Sequence, residues 1–131
     1  MAVTNIKKVR NNHKMAMNVF NAENPRDTDN LPRPGVQIPA GETRTHDMWI
    51  PWCTDESAFG GHRIEVGPGA YPTFLIWQEK SDDGDHVRFC TDGNFHFTGN
   101  FIPGNSNVGG DRVLYIEGTT EKDIRIHLEN S

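Results

Sequence analysis

Residues that interrupt regular structure recur so closely along this chain that no stretch longer than about ten residues holds a helical apolar period. Gly 13 and Pro 8 supply many of the interruptions, and Asn and Asp supply more. Each acts by its own physics: Gly reaches positive φ, Pro fixes φ, and Asn and Asp bond their own backbone. Frequent turns leave room only for short elements, and short elements that can build a core are strands. The expected fold is all-β, an antiparallel β-sandwich or closed β-barrel of about eight to ten short strands. At 131 residues the chain fits a single domain spanning 1–131, large enough to bury a core without metal or disulfide staples.

Residues 6–11 and 14–21 read as two strands around Asn11-Asn12-His13, a first hairpin at a sheet edge. Segment 22–35 breaks every pattern with Pro25, Pro32 and Pro34, so it reads as a long surface loop of the kind that carries function. Strands are expected at 36–38, 43–50 and 62–66, the last with Ile64 and Val66 inward. Residues 71–79 are apolar on both phases, which places them at the centre of a sheet. A turn at 81–85 leads into a strand at 86–90, and Asp92-Gly93 into one at 94–97. Residues 99–110 read as a loop, 112–117 as a strand apolar on both phases, and 123–129 as a closing strand with Ile124, Ile126 and Leu128 inward. Short turns in the second half predict antiparallel neighbours there.

The formal net charge of -5 argues against a nucleic-acid partner. The first twenty residues run the other way, with Lys7, Lys8, Arg10 and Lys14 and no acid, and read as a solvated edge protected by lysine. No apolar run approaches the roughly 20 residues of a membrane span, and residues 1–6 lack a signal-peptide core. The expectation is a cytoplasmic protein, a secreted mature form being the alternative. Cys53 and Cys90 are then unbridged buried thiols. The first hairpin and the alternating last strand are both candidate edges for a homodimer built by sheet extension.

Six histidines, His13, His46, His62, His86, His96 and His127, are available for a metal, but none is spaced two or four residues from another. His46 and Asp47 would lie on opposite strand faces. Asp82, Asp83 and Asp85, or Asp27, Asp29 and Asn30, do not match a spaced calcium loop. No metal and no cofactor are expected. Ser106 lacks a nucleophile elbow, and Gly109-Gly110-Asp111 lacks the ending of a phosphate loop.

An aromatic and polar set remains. Trp49 and Trp52 flank Ile50-Pro51 where a strand runs into a loop, while Trp77 sits mid-strand as core. A tryptophan at a strand end offers a flat apolar face with one N–H donor, suited to a sugar ring. Asp47, Asn105, Asn107, Asp111 and Arg112 could bond the hydroxyls of a small-molecule or glycan ligand. The expectation is a non-catalytic, lectin-like, carbohydrate-binding domain with those seven residues as its ligand site. In size and composition the chain resembles small β-lectins and lipid-binding lysins, a resemblance that carries no residue across. The alternative is a small cofactor-free β-barrel enzyme, an isomerase, cyclase or lyase. It would have one acid or base among His46, Asp47, Glu65, His96 and Glu117 in an apolar pocket. A subunit or assembly protein is a third class.

Overall fold

The computed structural model describes residues 3–29, 35–53, 55–68, 72–80, 84–91 and 100–131. Among them ten strands form: β1 (Thr4–Asn11), β2 (Met17–Asn21), β3 (Val36–Ile38), β4 (Thr43–Trp49) and β5 (Ile64–Gly67). The others are β6 (Phe74–Glu79), β7 (His86–Thr91), β8 (Asn100–Phe101), β9 (Gly110–Thr120) and β10 (Asp123–Asn130). They make a sandwich, a four-stranded sheet in the order β10-β9-β1-β4 and a six-stranded sheet in the order β3-β2-β5-β6-β7-β8. No closed barrel forms among the described residues. No helix among the described residues is long and apolar enough to cross a membrane.

Alternation builds the layers, because successive strand residues point to opposite faces. On β10, Ile124, Ile126 and Leu128 turn inward, and Leu114 and Ile116 do so on β9. Ile6 and Val9 of β1 join them, and Met17, Val19, Ile64, Val66, Phe74 and Ile76 face them from the six-stranded sheet. As the short turns predict, β5 to β8 are antiparallel neighbours in sequence, and β9 and β10 form a hairpin.

The expected first hairpin does not form. β1 and β2 belong to different sheets, because their apolar faces meet the core from opposite sides and the link between them must cross its end. The Asn11 side chain secures that crossing, donating to the carbonyls of Met15 at 2.9 Å and Ile38 at 3.0 Å. Nor is β1 an edge: it pairs antiparallel with β4 and parallel with β9. The register shifts between Ile6 and Lys8 in both pairings. Between these points β1 carries one residue more than β9, Lys7, while β4 carries one more than β1, with His46 and Asp47 opposite Lys7 alone; Lys7 and Lys8 stay off the core, and Val9 returns to it. Within the expected loop 99–110, Asn100–Phe101 pairs with β7 as β8. The strand expected at 94–97, with His96, lies outside the described residues.

β6 is buried throughout and lies inside its sheet, as its doubly apolar pattern predicts. Its Phe74 and Ile76 enter the main core, while Leu75 and Trp77 form a second cluster with Cys53, Phe59 and Cys90. The connection from β4 to β5 covers that outer face through the 3₁₀ turn Glu56–Gly61, with Phe59 edge-on to Trp77 at 4.8 Å. Cys53 and Cys90 are buried and unbridged, and burial pushes the Cys53 thiol above its ordinary range. A thiol reagent should therefore label neither cysteine rapidly in the native protein, and both after denaturation without reductant. Mass spectrometry reads the outcome, and a denatured chain that takes up no label would reveal a bridge.

β10 is an edge, and loop backbone covers part of it: the Leu128 amide donates to Pro103 O at 2.9 Å, and Leu128 O accepts from the Asn105 amide at 2.6 Å. Sheet extension into a homodimer through β10 would have to use the Asp123–Ile126 half.

Candidate functional site

The site residues gather where β1 begins, β4 ends and β9 begins. Asn5 pairs with Trp49 on one side and Asp111 on the other, so the three form one row across the outer face of the four-stranded sheet. Asp47 lies two residues before Trp49 on the same face. The bulged Lys7 reaches between the rows, its Nζ 2.7 Å from Asp47 and 4.0 Å from Asp111. The Asp47 carboxylate, with help from Asp111, holds the Lys7 ammonium above its ordinary range against the opposing effect of burial.

Trp49 keeps 36% of its surface exposed. Its indole N–H donates to Glu23 Oε1 at 2.8 Å. The other oxygen of Glu23 meets His62 Nδ1. The Trp49 carbonyl accepts from Asn21 at 3.1 Å, and Asn21 also accepts the Glu23 amide at 2.9 Å. Asn21, the last residue of β2, and Glu23 just beyond it thus fix the tryptophan by backbone and ring.

The remaining expected residues are placed differently. Trp52 is half-buried, its backbone bridged to Gln78 of the six-stranded sheet. Gln78 accepts from the Thr4 hydroxyl at 2.6 Å and donates to Ile50 O, and the same hydroxyl accepts the Gly109 amide at 2.6 Å. Asn105 is occupied by local bonds: its side chain accepts the Asn107 amide at 3.0 Å and donates to Asn130. Arg112 points inward and is 5% exposed; it donates to Asn107 O at 2.8 Å and Asp111 O at 3.1 Å. Asp47, Trp49 and Asp111 therefore share one face, while Trp52, Asn107 and Arg112 lie at the sandwich end beneath it. Asn5, Lys7, Glu23 and His62 join the site without having been proposed for it from the sequence. Lys7 stands among the early basic residues and His62 among the histidines; Asn5 and Glu23 carry no sequence signal.

Of the acid–base candidates, Asp47 stands in the site and His46, Glu65 and Glu117 are engaged elsewhere. His46 bonds Asp27 at 2.7 Å, Glu65 pairs with Arg63 at 3.0 Å, and Glu117 accepts from Asn12 at 3.1 Å. The Asp27 and Asp29 carboxylates, expected only as loop acids, fasten segment 22–29 to β4. Asp29 takes a two-pronged contact from Arg44 at 2.6 and 2.8 Å and the Gln37 amide at 2.9 Å. Arg44 first, and then the Gln37 amide, hold the Asp29 carboxyl below its ordinary range, against burial. A depressed folded value means that this stability is complete above the ordinary carboxylate value of 3.8 and is lost as pH falls through the lower folded value. Asp29→Asn should cost about 1 kcal/mol at neutral pH, and urea unfolding should show that difference vanishing in strong acid. A difference that persists unchanged at low pH would contradict this role.

Searches against protein families, curated proteins and solved structures find no match to the chain.

Proposed function

We propose that this protein is a non-catalytic recognition domain that binds a carbohydrate on the outer face of its four-stranded sheet, with Trp49 as the stacking surface. The observation that carries this reading is Trp49 itself. It is an exposed indole on a regular strand, pinned through its N–H by Glu23 and set beside carboxylates and an ammonium on the same face. A ring fixed before the ligand arrives loses little freedom on binding. An apolar sugar face stacks on such a ring, and Asp47, Asn5, Lys7 and Asp111 offer acceptors and donors to hydroxyls at its edge. Phe101, the other exposed aromatic among the described residues, differs in having His86 stacked at 3.9 Å and the Arg88 guanidinium at 4.7 Å.

A glycan array followed by fluorescence titration tests the proposal. Trp49→Ala should weaken binding at least tenfold, because a stacked ring contributes about 0.5–1.5 kcal/mol beyond its buried area. The thermal midpoint should move little, since an exposed ring adds little to the core. A folded protein that leaves the array blank, or binding indifferent to Trp49→Ala, would overturn it.

A further inference from the structure

Val3, Trp49 and Phe101 are the large hydrophobic side chains exposed among the described residues, and the first two share one corner of the four-stranded sheet. Val3 immediately precedes β1, and its carbonyl accepts the Gly110 amide at 3.0 Å. Thr4 is fully buried, so alternation turns Val3 to the outer face with Asn5. Asn5 stands directly opposite Trp49. Val3 is thus the diagonal neighbour of the indole, at a separation of about 7–8 Å that an aromatic ring spans.

The strands alongside leave this valine open. On the β9 side the neighbours are Gly109 and Gly110, which carry no side chain, and Gly110 sits opposite Thr4. On the β4 side the chain beyond Trp49 is Ile50 and Pro51, both buried. Val3 keeps 59% of its surface exposed. A lone exposed aliphatic residue is ordinary, but one set beside an exposed indole makes a joint apolar surface that marks a contact. That surface is small. A stable protein partner needs about 800 Å² on each side, far beyond one valine and one indole ringed by charged groups. The surroundings are rich in acceptors, since Asp47 and Asp111 bring two carboxylates and Lys7 between them a single ammonium. Carboxylates there accept from hydroxyls and repel an anionic headgroup or an acidic sugar. A neutral polyol with one small apolar substituent matches both the size and the charge.

We propose that Val3 is a methyl subsite of the Trp49 face and that the ligand is a neutral 6-deoxy sugar, its ring over the indole and its methyl group against the valine. This rests on the carbohydrate reading above and adds the class of sugar to it. Isothermal titration calorimetry of the intact protein tests it with two pairs, L-fucose against L-galactose and L-rhamnose against L-mannose. Each pair exchanges a methyl group for a hydroxymethyl group and nothing else. At least one deoxy sugar should bind about fourfold or more tighter than its partner, the effect of burying one methyl group. Val3→Ser should abolish that preference, and Val3→Ile should keep it. Both variants should leave the thermal midpoint nearly unchanged, because the residue is exposed. Equal affinity within each pair overturns the methyl subsite, and so does a preference that survives Val3→Ser. In either case binding that still requires Trp49 leaves the carbohydrate reading standing. A glycan array with Trp49-dependent binding, while all four monosaccharides fail, removes the deoxy-sugar assignment alone. A blank array removes both.

Discussion

Gly118→Ala is expected to destabilise the protein by about 3–5 kcal/mol, the sum of backbone strain and overpacking. Gly118 lies near the end of β9 with φ at +130°, where L side chains are strained whatever the space. Space is also absent: an added Cβ would overlap the Asp123 carbonyl and stand 2.8 Å from His13 Cδ2. That carbonyl, with Thr120 O, receives the His13 ring nitrogen at 3.0 and 2.9 Å. The substitution would therefore disturb the β9–β10 hairpin and the β1–β2 crossing together. A drop of about 10–20 °C in the thermal midpoint should follow. A midpoint within 3 °C or so of wild type would mean that the turn relaxes at little cost, against the usual behaviour of such positions.

Trp77→Ala should be of similar size, about 3–5 kcal/mol, because it empties the centre of the second cluster. Trp77 is fully buried between β6 and the 3₁₀ turn, against Phe59. The loss should also uncover the two thiols beside it, so native labelling of Cys53 and Cys90 should accelerate in the variant. Trp77→Phe separates ring from N–H. The Trp77 Nε1 is buried without an acceptor, so losing the N–H removes a desolvated donor and offsets part of the volume change. That variant should lie within about 1.5 kcal/mol of wild type. Equal losses in the two variants would show instead that the indole N–H matters more than the ring. Trp49→Ala, on the outer face, should do little to stability, and this contrast divides packing from recognition.

The sequence made the interior strands legible because burial on two faces leaves a mark that no neighbour is needed to read. Residues 74–77 carry it as an unbroken apolar run, and Ile64 with Val66 carry the simpler alternation. The pairing of β1 with β9 left no such mark. Parallel partners more than a hundred residues apart share no turn, and turn residues are the local signal from which pairing is inferred. The same pairing turned a supposed edge into an interior strand. The Lys7 bulge against β9 was equally hidden, since the sequence Ile6-Lys7-Lys8-Val9 does not say which lysine is extra.

At the site, Asp47 and Trp49 could be placed together because residues two apart on a strand share a face. The phase of Arg112 could have been read from Leu114 and Ile116 in the same way, and would have turned it inward. Asn105 gave no warning: an Asn in a Gly-rich loop serves a turn or a ligand with the same atoms, and here it caps the Asn107 amide. Glu23 reaches Trp49, and His62 reaches Glu23, from other segments of the chain, so only the folded chain reveals how the ring is held.

The central claim is that a carbohydrate sits on the face that carries Trp49, and amide chemical-shift mapping with a bound oligosaccharide tests it most directly. The amides of Asn5, Lys7, Asp47, Trp49 and Asp111 should move together and saturate with one affinity, while those of β2, β3 and β5 stay in place. Shifts confined to the opposite sheet, or to the Phe101 end of β7 and β8, would place the ligand elsewhere and contradict the account.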